Sequence, residues 1–129
     1  GPKAAVTDAD FRLIREMDFD SRVALIATVI QDGHEVVIAS SSYSRFDTRT
    51  AEVAFIVEED YRGFGIARRL LGHLGRIAVD RGLTSFEAEV LPHNRSMLRV
   101  FTACGWPMRT RTADGTVHVT LSLAASGGG

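Results

Sequence analysis

The stretch that most constrains this chain is Arg62-Gly63-Phe64-Gly65-Ile66-Ala67-Arg68-Arg69-Leu70-Leu71, a glycine-rich turn running from the apolar segment Ala51–Val57 into an amphipathic helix. Glycines let backbone N–H groups come close to an anion. A helix that begins at such a turn aims its unpaired donors and the positive end of its dipole at the same point. Glycine at a strand-to-helix turn is also ordinary loop chemistry, so the segment alone does not name a ligand. Spacing does exclude two: no Gly-Lys-Ser/Thr follows, as a nucleotide P-loop requires, and the pattern falls short of Gly-x-Gly-x-x-Gly.

The surrounding pattern gives the turn its setting. Thr7 and Asp8 predict a cap for a short helix over Ala9–Glu16. Val23–Ile30 and Val36–Ser40 are β-branched strands on either side of Gln31-Asp32-Gly33-His34, whose Asp-Gly is a hairpin signal. The polar run Tyr43–Thr50 reads as a loop. Ala51–Val57 follows as a third strand with Glu52 at its start and Glu58, Glu59 and Asp60 beyond its end. From Ile66 the apolar period becomes helical through Leu70, Leu71, Leu74, Ile77 and Ala78, with Gly82 as the stop. Thr84–Leu91 alternates Phe86, Ala88 and Val90 against Glu87 and Glu89. Asn94 then caps a helix whose inner face is Met97, Leu98, Phe101 and Cys104, closed by Gly105. After Trp106 and Pro107 and the turn Asp114-Gly115, Thr116–Leu123 is the last strand.

This order predicts an α/β (α+β) fold, a mixed central sheet with helices on its faces. The third strand, its helix and the fourth strand form a right-handed βαβ unit, and the carboxyl ends of that parallel pair mark the ligand crevice. With 129 residues the chain makes a single domain over 4–124, with 1–3 resembling a tag scar and 125–129 a flexible tail. A fragment cut from a longer protein is one reading of these ends. A net charge of -1 offers no footprint for nucleic acid. The single cysteine, Cys104, reads as a structural thiol and fits a reducing cytoplasmic compartment. His34, His73, His93 and His118 lack zinc-ligand spacing, so no metal is expected. Neither a membrane span nor a signal peptide is evident.

Strand Ala51–Val57, the turn Arg62-x-x-Gly65-x-Ala67, strand Phe86–Leu91, Asn94 and the helix ending Phe101-x-x-x-Gly105-Trp106 together resemble the GNAT superfamily, the Gcn5-related N-acetyltransferases. The turn matches that family's Gln/Arg-x-x-Gly-x-Gly/Ala pyrophosphate loop. A narrower likeness, over Met17–Ala27, Ala51–Phe55 and Glu89–Leu98, is to the acetyltransferase domain of bacterial Pat-type protein lysine acetyltransferases, which is often fused to an acyl-CoA-synthetase-like or cyclic-nucleotide-binding region.

The resemblance implies acetyl-CoA as co-substrate, held where the third and fourth strands splay apart. Backbone groups of Phe55, Ile56 and Val57 would meet pantetheine and the acetyl carbonyl, with the Val57 N–H facing the oxyanion. Amides of Gly63, Phe64, Gly65, Ile66, Ala67 and Arg68 would cradle the pyrophosphate, and Arg62 and Arg68 would add charge. Asn94 would position the pantetheine arm while also capping its helix. Glu52 corresponds to the general base of Gcn5-like and Pat-like enzymes, its pKa lifted by partial burial, and Glu89 is the rival base of another branch.

Two departures stand out. Phe101, counted with the cofactor contacts, replaces the tyrosine that protonates the leaving thiolate in many relatives, a proton that water can supply. Family domains usually begin with a strand and two helices that form one wall of the acceptor site, and only Ala4–Arg15 is available for that region here; the pocket is then incomplete, supplied by missing sequence, or unusually open, and an open site suits a protein-borne lysine. The resemblance thus implies acetyl transfer to a protein lysine. The alternatives are a small-molecule amine or N-terminal acetyltransferase and a non-catalytic acyl-CoA sensor.

Overall fold

A computed structural model describes residues 11–18 and 20–123. Seven strands form one sheet in the order β1-β2-β3-β4-β5-β7-β6. They are β1 (Phe11–Asp18), β2 (Arg22–Gln31), β3 (His34–Arg45), β4 (Thr50–Val57), β5 (Ser85–Val90), β6 (Met108–Ala113) and β7 (Thr116–Ser122). The helices are α1 (Ile66–Asp80) and α2 (Arg95–Ala103), with a 3-10 turn at Glu59–Tyr61. Among the described residues only β4 and β5, the two strands that flank α1, run parallel. The βαβ unit and mixed sheet expected from the sequence are therefore present.

Three segments depart from expectation. Residues 11–16 of the anticipated helix belong to β1, paired antiparallel with β2 from Phe11↔Val29 to Asp18↔Arg22; Thr7 to Asp10 lie outside the described residues. Alternation explains the strand, since Phe11 is buried and Leu13 half-buried while Arg12, Ile14 and Glu16 are exposed. The second strand runs on from Ser40 to Arg45, because Ser41 and Tyr43 turn inward on a strand paired on both sides. Met108–Ala113, left unassigned between Pro107 and Asp114, is the edge strand β6, whose Arg109 and Arg111 keep it polar.

Both helices lie against one face of the sheet. Helix α1 buries Ile66, Leu70, Leu71, Leu74 and Ala78 over β2, β3 and β4. Helix α2 brings Phe101 edge-on to Phe55 of β4, with ring centroids 6.1 Å apart. Trp106 stands edge-on to Phe86 and fills the space beside Gly75 of α1. Each fully buried apolar side chain of this layer contributes roughly 1.5–3 kcal/mol.

The base of the domain is tied by Arg45. Its guanidinium donates to the carbonyls of Asp20, Thr48 and Arg81, each at 2.9 Å, joining the β1–β2 turn, the β3–β4 loop and the end of α1. Asp20 sits at φ 67° and its carboxylate pairs with Arg81.

The opposite face carries no helix among the described residues. Strand alternation and register place Ile14, Val37, Ser40, Ser42, Ser44, Glu52, Ala54, Ile56, Glu87 and Glu89 on it. Val37 and Ile56 there are 55% and 69% exposed.

Candidate active site

The parallel ladder between β4 and β5 has three partners, Thr50↔Ser85, Ala51↔Phe86 and Glu52↔Glu87, and then stops. Beyond it β4 stays paired to β3 as far as Ala39↔Val57, and β5 to β7 as far as Val90↔Val117. The two strands therefore separate while each keeps its outer neighbour, opening a wedge at their carboxyl ends.

Unused backbone groups line that wedge. Glu58 N–H donates to the Ile38 carbonyl at 2.8 Å. Because main-chain groups alternate direction along a strand, those of Ile56 also point to β3, while those of Phe55 and Val57 point away from it, into the wedge. Of the three residues implied by the resemblance, Phe55 and Val57 thus offer main-chain groups there, and Ile56 spends its own on the ladder. The Val57 carbonyl accepts from Arg62 Nε at 3.3 Å, which holds that side chain at the wedge's mouth.

At the same end lies the glycine turn. Gly63 and Gly65 have φ of 85° and 79°, the left-handed region that glycine occupies without strain. Gly65 is the N-cap of α1 and supplies no side-chain cap, and the first turn contains no acid. Arg69 N–H donates to the Gly65 carbonyl at 3.1 Å, the i→i−4 bond that starts the helix. The donors of Ile66, Ala67 and Arg68 precede it and have no backbone partner in the helix, so the helix opens as an anion-binding end.

Alongside runs a groove of about 430 Å³ lined by Phe64, Gly65, Arg68, Arg69, Gly72, His73 and Arg76. In the sequence these residues are not joined into a groove, although the i, i+3, i+4, i+7 spacing of 65, 68, 69, 72, 73 and 76 puts them on one side of the helix. Burial, then Arg76 and Arg69, hold the His73 imidazole below its ordinary range. Arg76 also lies 3.0 Å from His73 Nδ1.

Asn94 caps α2: its Oδ1 accepts from Met97 N–H at 3.2 Å and from Ser96 at 3.1 Å. Phe101 is only 1% exposed, so it belongs to the core under the wedge and presents no surface to a ligand there. Cys104 donates to the Phe101 carbonyl at 2.8 Å, and burial pushes its thiol up, as suits a structural role.

Both candidate carboxylates emerge on the uncovered face. Glu52 is the last paired residue of β4 before the strands part, and it is exposed. The partial burial expected for it is absent, because its side chain points away from the helices. Glu89 stands two residues past the last pairing on β5 with β4 and lies against His118 of β7, its Oε1 3.3 Å from Nδ1. In the sequence His118 is only one of four histidines without zinc-ligand spacing; the alternation of β7 against Glu87 and Glu89 is the signal that could have found it.

A sequence profile described as the Acetyltransferase (GNAT) family matches residues 2–106. A curated relative, an L-2,4-diaminobutyric acid acetyltransferase of Streptomyces coelicolor, is 34% identical over 84 residues, covering 62% of this chain and 49% of the relative. The chain thus spans about half the length of that relative. Among solved structures, the GNAT domain of S. lividans PAT superposes with TM-score 0.71 at 35% identity, covering 83% of this chain and 64% of that one. A cAMP-binding acyltransferase from Mycobacterium smegmatis gives TM-score 0.68 at 28% identity, covering 82% of this chain and 32% of that one. The splayed strands, the uncapped helix at the glycine turn and these matches agree: the chain belongs to the GNAT acetyltransferase family.

Proposed function

We propose that this domain transfers acetyl from acetyl-CoA to the side-chain amine of a protein lysine in a direct ternary complex. The observation that carries the reading is the β4–β5 wedge ending at an uncapped, acid-free helix N-terminus. One end offers main-chain groups to an extended amide-bearing arm, and the other offers N–H donors to a diphosphate. A related fold, the PseH N-acetyltransferase of Campylobacter jejuni, has been solved in complex with acetyl coenzyme A, at 14% identity and TM-score 0.62.

A lysine ammonium must lose a proton before its nitrogen can attack. Glu52 takes that proton, directly or through a water that its exposure admits. The free amine adds to the thioester carbonyl, and the Val57 N–H, directed into the wedge, meets the developing oxyanion. Collapse breaks the C–S bond and expels CoA thiolate, and the second proton that the adduct nitrogen sheds as the amide forms passes through water to that thiolate, while Glu52 returns its proton to solvent. Glu89 is the second candidate for base.

The acceptor side rests on the uncovered face, where Glu52 and Glu89 are exposed with no helix over them among the described residues. That openness suits an amine presented by a folded protein. The matches to a diaminobutyric acid acetyltransferase and to a PAT domain support an amine acceptor in either setting. The test is calorimetric titration with acetyl-CoA, followed by mass-spectrometric profiling of proteins incubated with the chain and acetyl-CoA. Binding with lysine acetylation supports the reading; acetylation of free amines alone shifts the acceptor; absence of binding sinks it.

A further inference from the structure

Register on the uncovered face sorts the charged residues into rows. In one row Glu52, Glu87, Thr120 and Arg109 are successive partners across β4, β5, β7 and β6. In the next row Glu89, His118 and Arg111 are successive partners across β5, β7 and β6. The second row has lost its β4 member, because β4 has already turned away.

That loss gives Glu89 a different situation from Glu87. Glu87 has a strand neighbour on each side; Glu89 has β7 on one side and the wedge on the other. A glutamate at such an edge loses side-chain entropy when it is fixed, and it stays fixed only if something holds it. His118 is that group, with Nδ1 at 3.3 Å from Oε1. That contact engages one carboxylate oxygen, Oε1, and leaves the other open. His118 is flanked on its other side by the Arg111 position, with Thr116 and Thr120 as same-face neighbours along β7.

We infer that His118 is a positioning residue that holds Glu89 at the rim of the wedge to receive the acceptor as an ammonium ion, while Glu52 removes the proton. The inference rests on the acetyltransferase reading and adds a substrate class: a cationic alkylamine with no carboxylate beside it, as a lysine side chain within a polypeptide is. Glu89 then acts in acceptor binding and Glu52 in the chemical step, so the two carboxylates separate in KM and kcat.

The probe is N-α-acetyl-lysine N-methylamide, whose only charge is the side-chain ammonium, with turnover read as free CoA thiol and acetyl-CoA affinity by calorimetry. His118→Ala is expected to raise the KM for this amine about fivefold, the effect of losing one exposed charged contact, with kcat and acetyl-CoA affinity within about twofold. His118→Asn restores KM, because its amide Nδ2 occupies the place of the imidazole Nδ1. Glu89→Gln raises KM at least as much as His118→Ala and removes any further effect of His118→Ala in the double variant. An unchanged KM in both single variants overturns the assignment, as does acetyl-CoA-bound wild type that fails to acetylate the amide. Failure to bind acetyl-CoA at all strikes the acetyltransferase reading instead, so the two failures are distinct.

Discussion

Glu52 and Glu87 are the last residues at which β4 and β5 run side by side. The break comes where β5 faces a run of outward charges and β4 carries Ala54 and Ile56 outward, so no paired apolar rows hold the strands together on the uncovered face. On the covered face the contact of Phe55 with Phe101 fills the space between them. The wedge is thus braced from beneath by aromatic packing and open above, with a carboxylate at its apex.

Replacing that carboxylate tests its role. Glu52→Gln keeps the size and hydrogen-bonding capacity of the side chain but cannot take a proton. With Glu52 as base, kcat falls about a hundredfold, whereas acetyl-CoA affinity measured by calorimetry stays nearly constant. Glu89→Gln leaves kcat close to wild type. Exchange of these two outcomes would move the base to Glu89.

The glycine turn makes a second prediction. Gly65 combines a φ of 79° with the N-cap of α1. Gly65→Ala meets open space, so its cost is backbone strain, about 1–2 kcal/mol, rather than a clash. Thermal unfolding should shift down by several degrees. Relaxing the strain tilts the donors of Ile66, Ala67 and Arg68, so acetyl-CoA binding weakens as well. A variant that melts lower but binds acetyl-CoA as tightly as wild type shows the turn to be structural only.

Beneath the site, Gly75 and Trp106 form a tight pair. A Cβ at position 75 runs into the six-membered ring of the indole, at Cη2 and Cζ2. Gly75→Ala therefore overpacks the joint between α1 and the segment after α2, costing about 1–3 kcal/mol. Trp106→Phe removes the colliding atoms and alone leaves a cavity. The double variant should be more stable than the sum of the single effects, a coupling that denaturant unfolding measures directly. Additive effects would mean that the two positions do not share the space.

Much of this was legible in the residues because period and punctuation agree there. Ile66, Leu70, Leu71, Leu74 and Ala78 repeat as a helix, and Gly82 at φ 87° ends it. Phe86, Ala88 and Val90 alternate against Glu87 and Glu89 as the structure has them. What escaped was set by partners far along the chain. Ala9–Glu16 reads as a capped helix locally, and from Phe11 onward it is strand because β2 offers it an edge. Met108–Ala113 carries too many arginines to announce itself, and its strand form depends on β7. The exposure of Glu52 follows from both helices lying on the other face, which no local pattern encodes. His118 gains its place only from its register with Glu89.

The loop entering β4 gives the last prediction. Asp47 Oδ1 accepts from the backbone N–H groups of Arg49 and Thr50, at 2.9 and 2.8 Å, and these two bonds hold its carboxyl below the usual carboxylate range. A carboxylate with a depressed folded-state pKa binds its proton more weakly folded than unfolded. Its stabilising contribution is therefore fully present above the unfolded value near 3.8 and is lost as pH falls through the lower folded value. Asp47→Asn keeps an oxygen acceptor for the same N–H groups but carries no charge and does not titrate. The variant should be less stable than wild type at neutral pH, by an amount constant down to about pH 5. Below that the gap closes as wild type protonates, while other carboxylates titrate alike in both proteins and cancel in the difference. Urea unfolding across an acid series measures the gap. A difference that stays the same from neutral pH into acid would show that the Asp47 charge adds nothing to the loop beyond its oxygen.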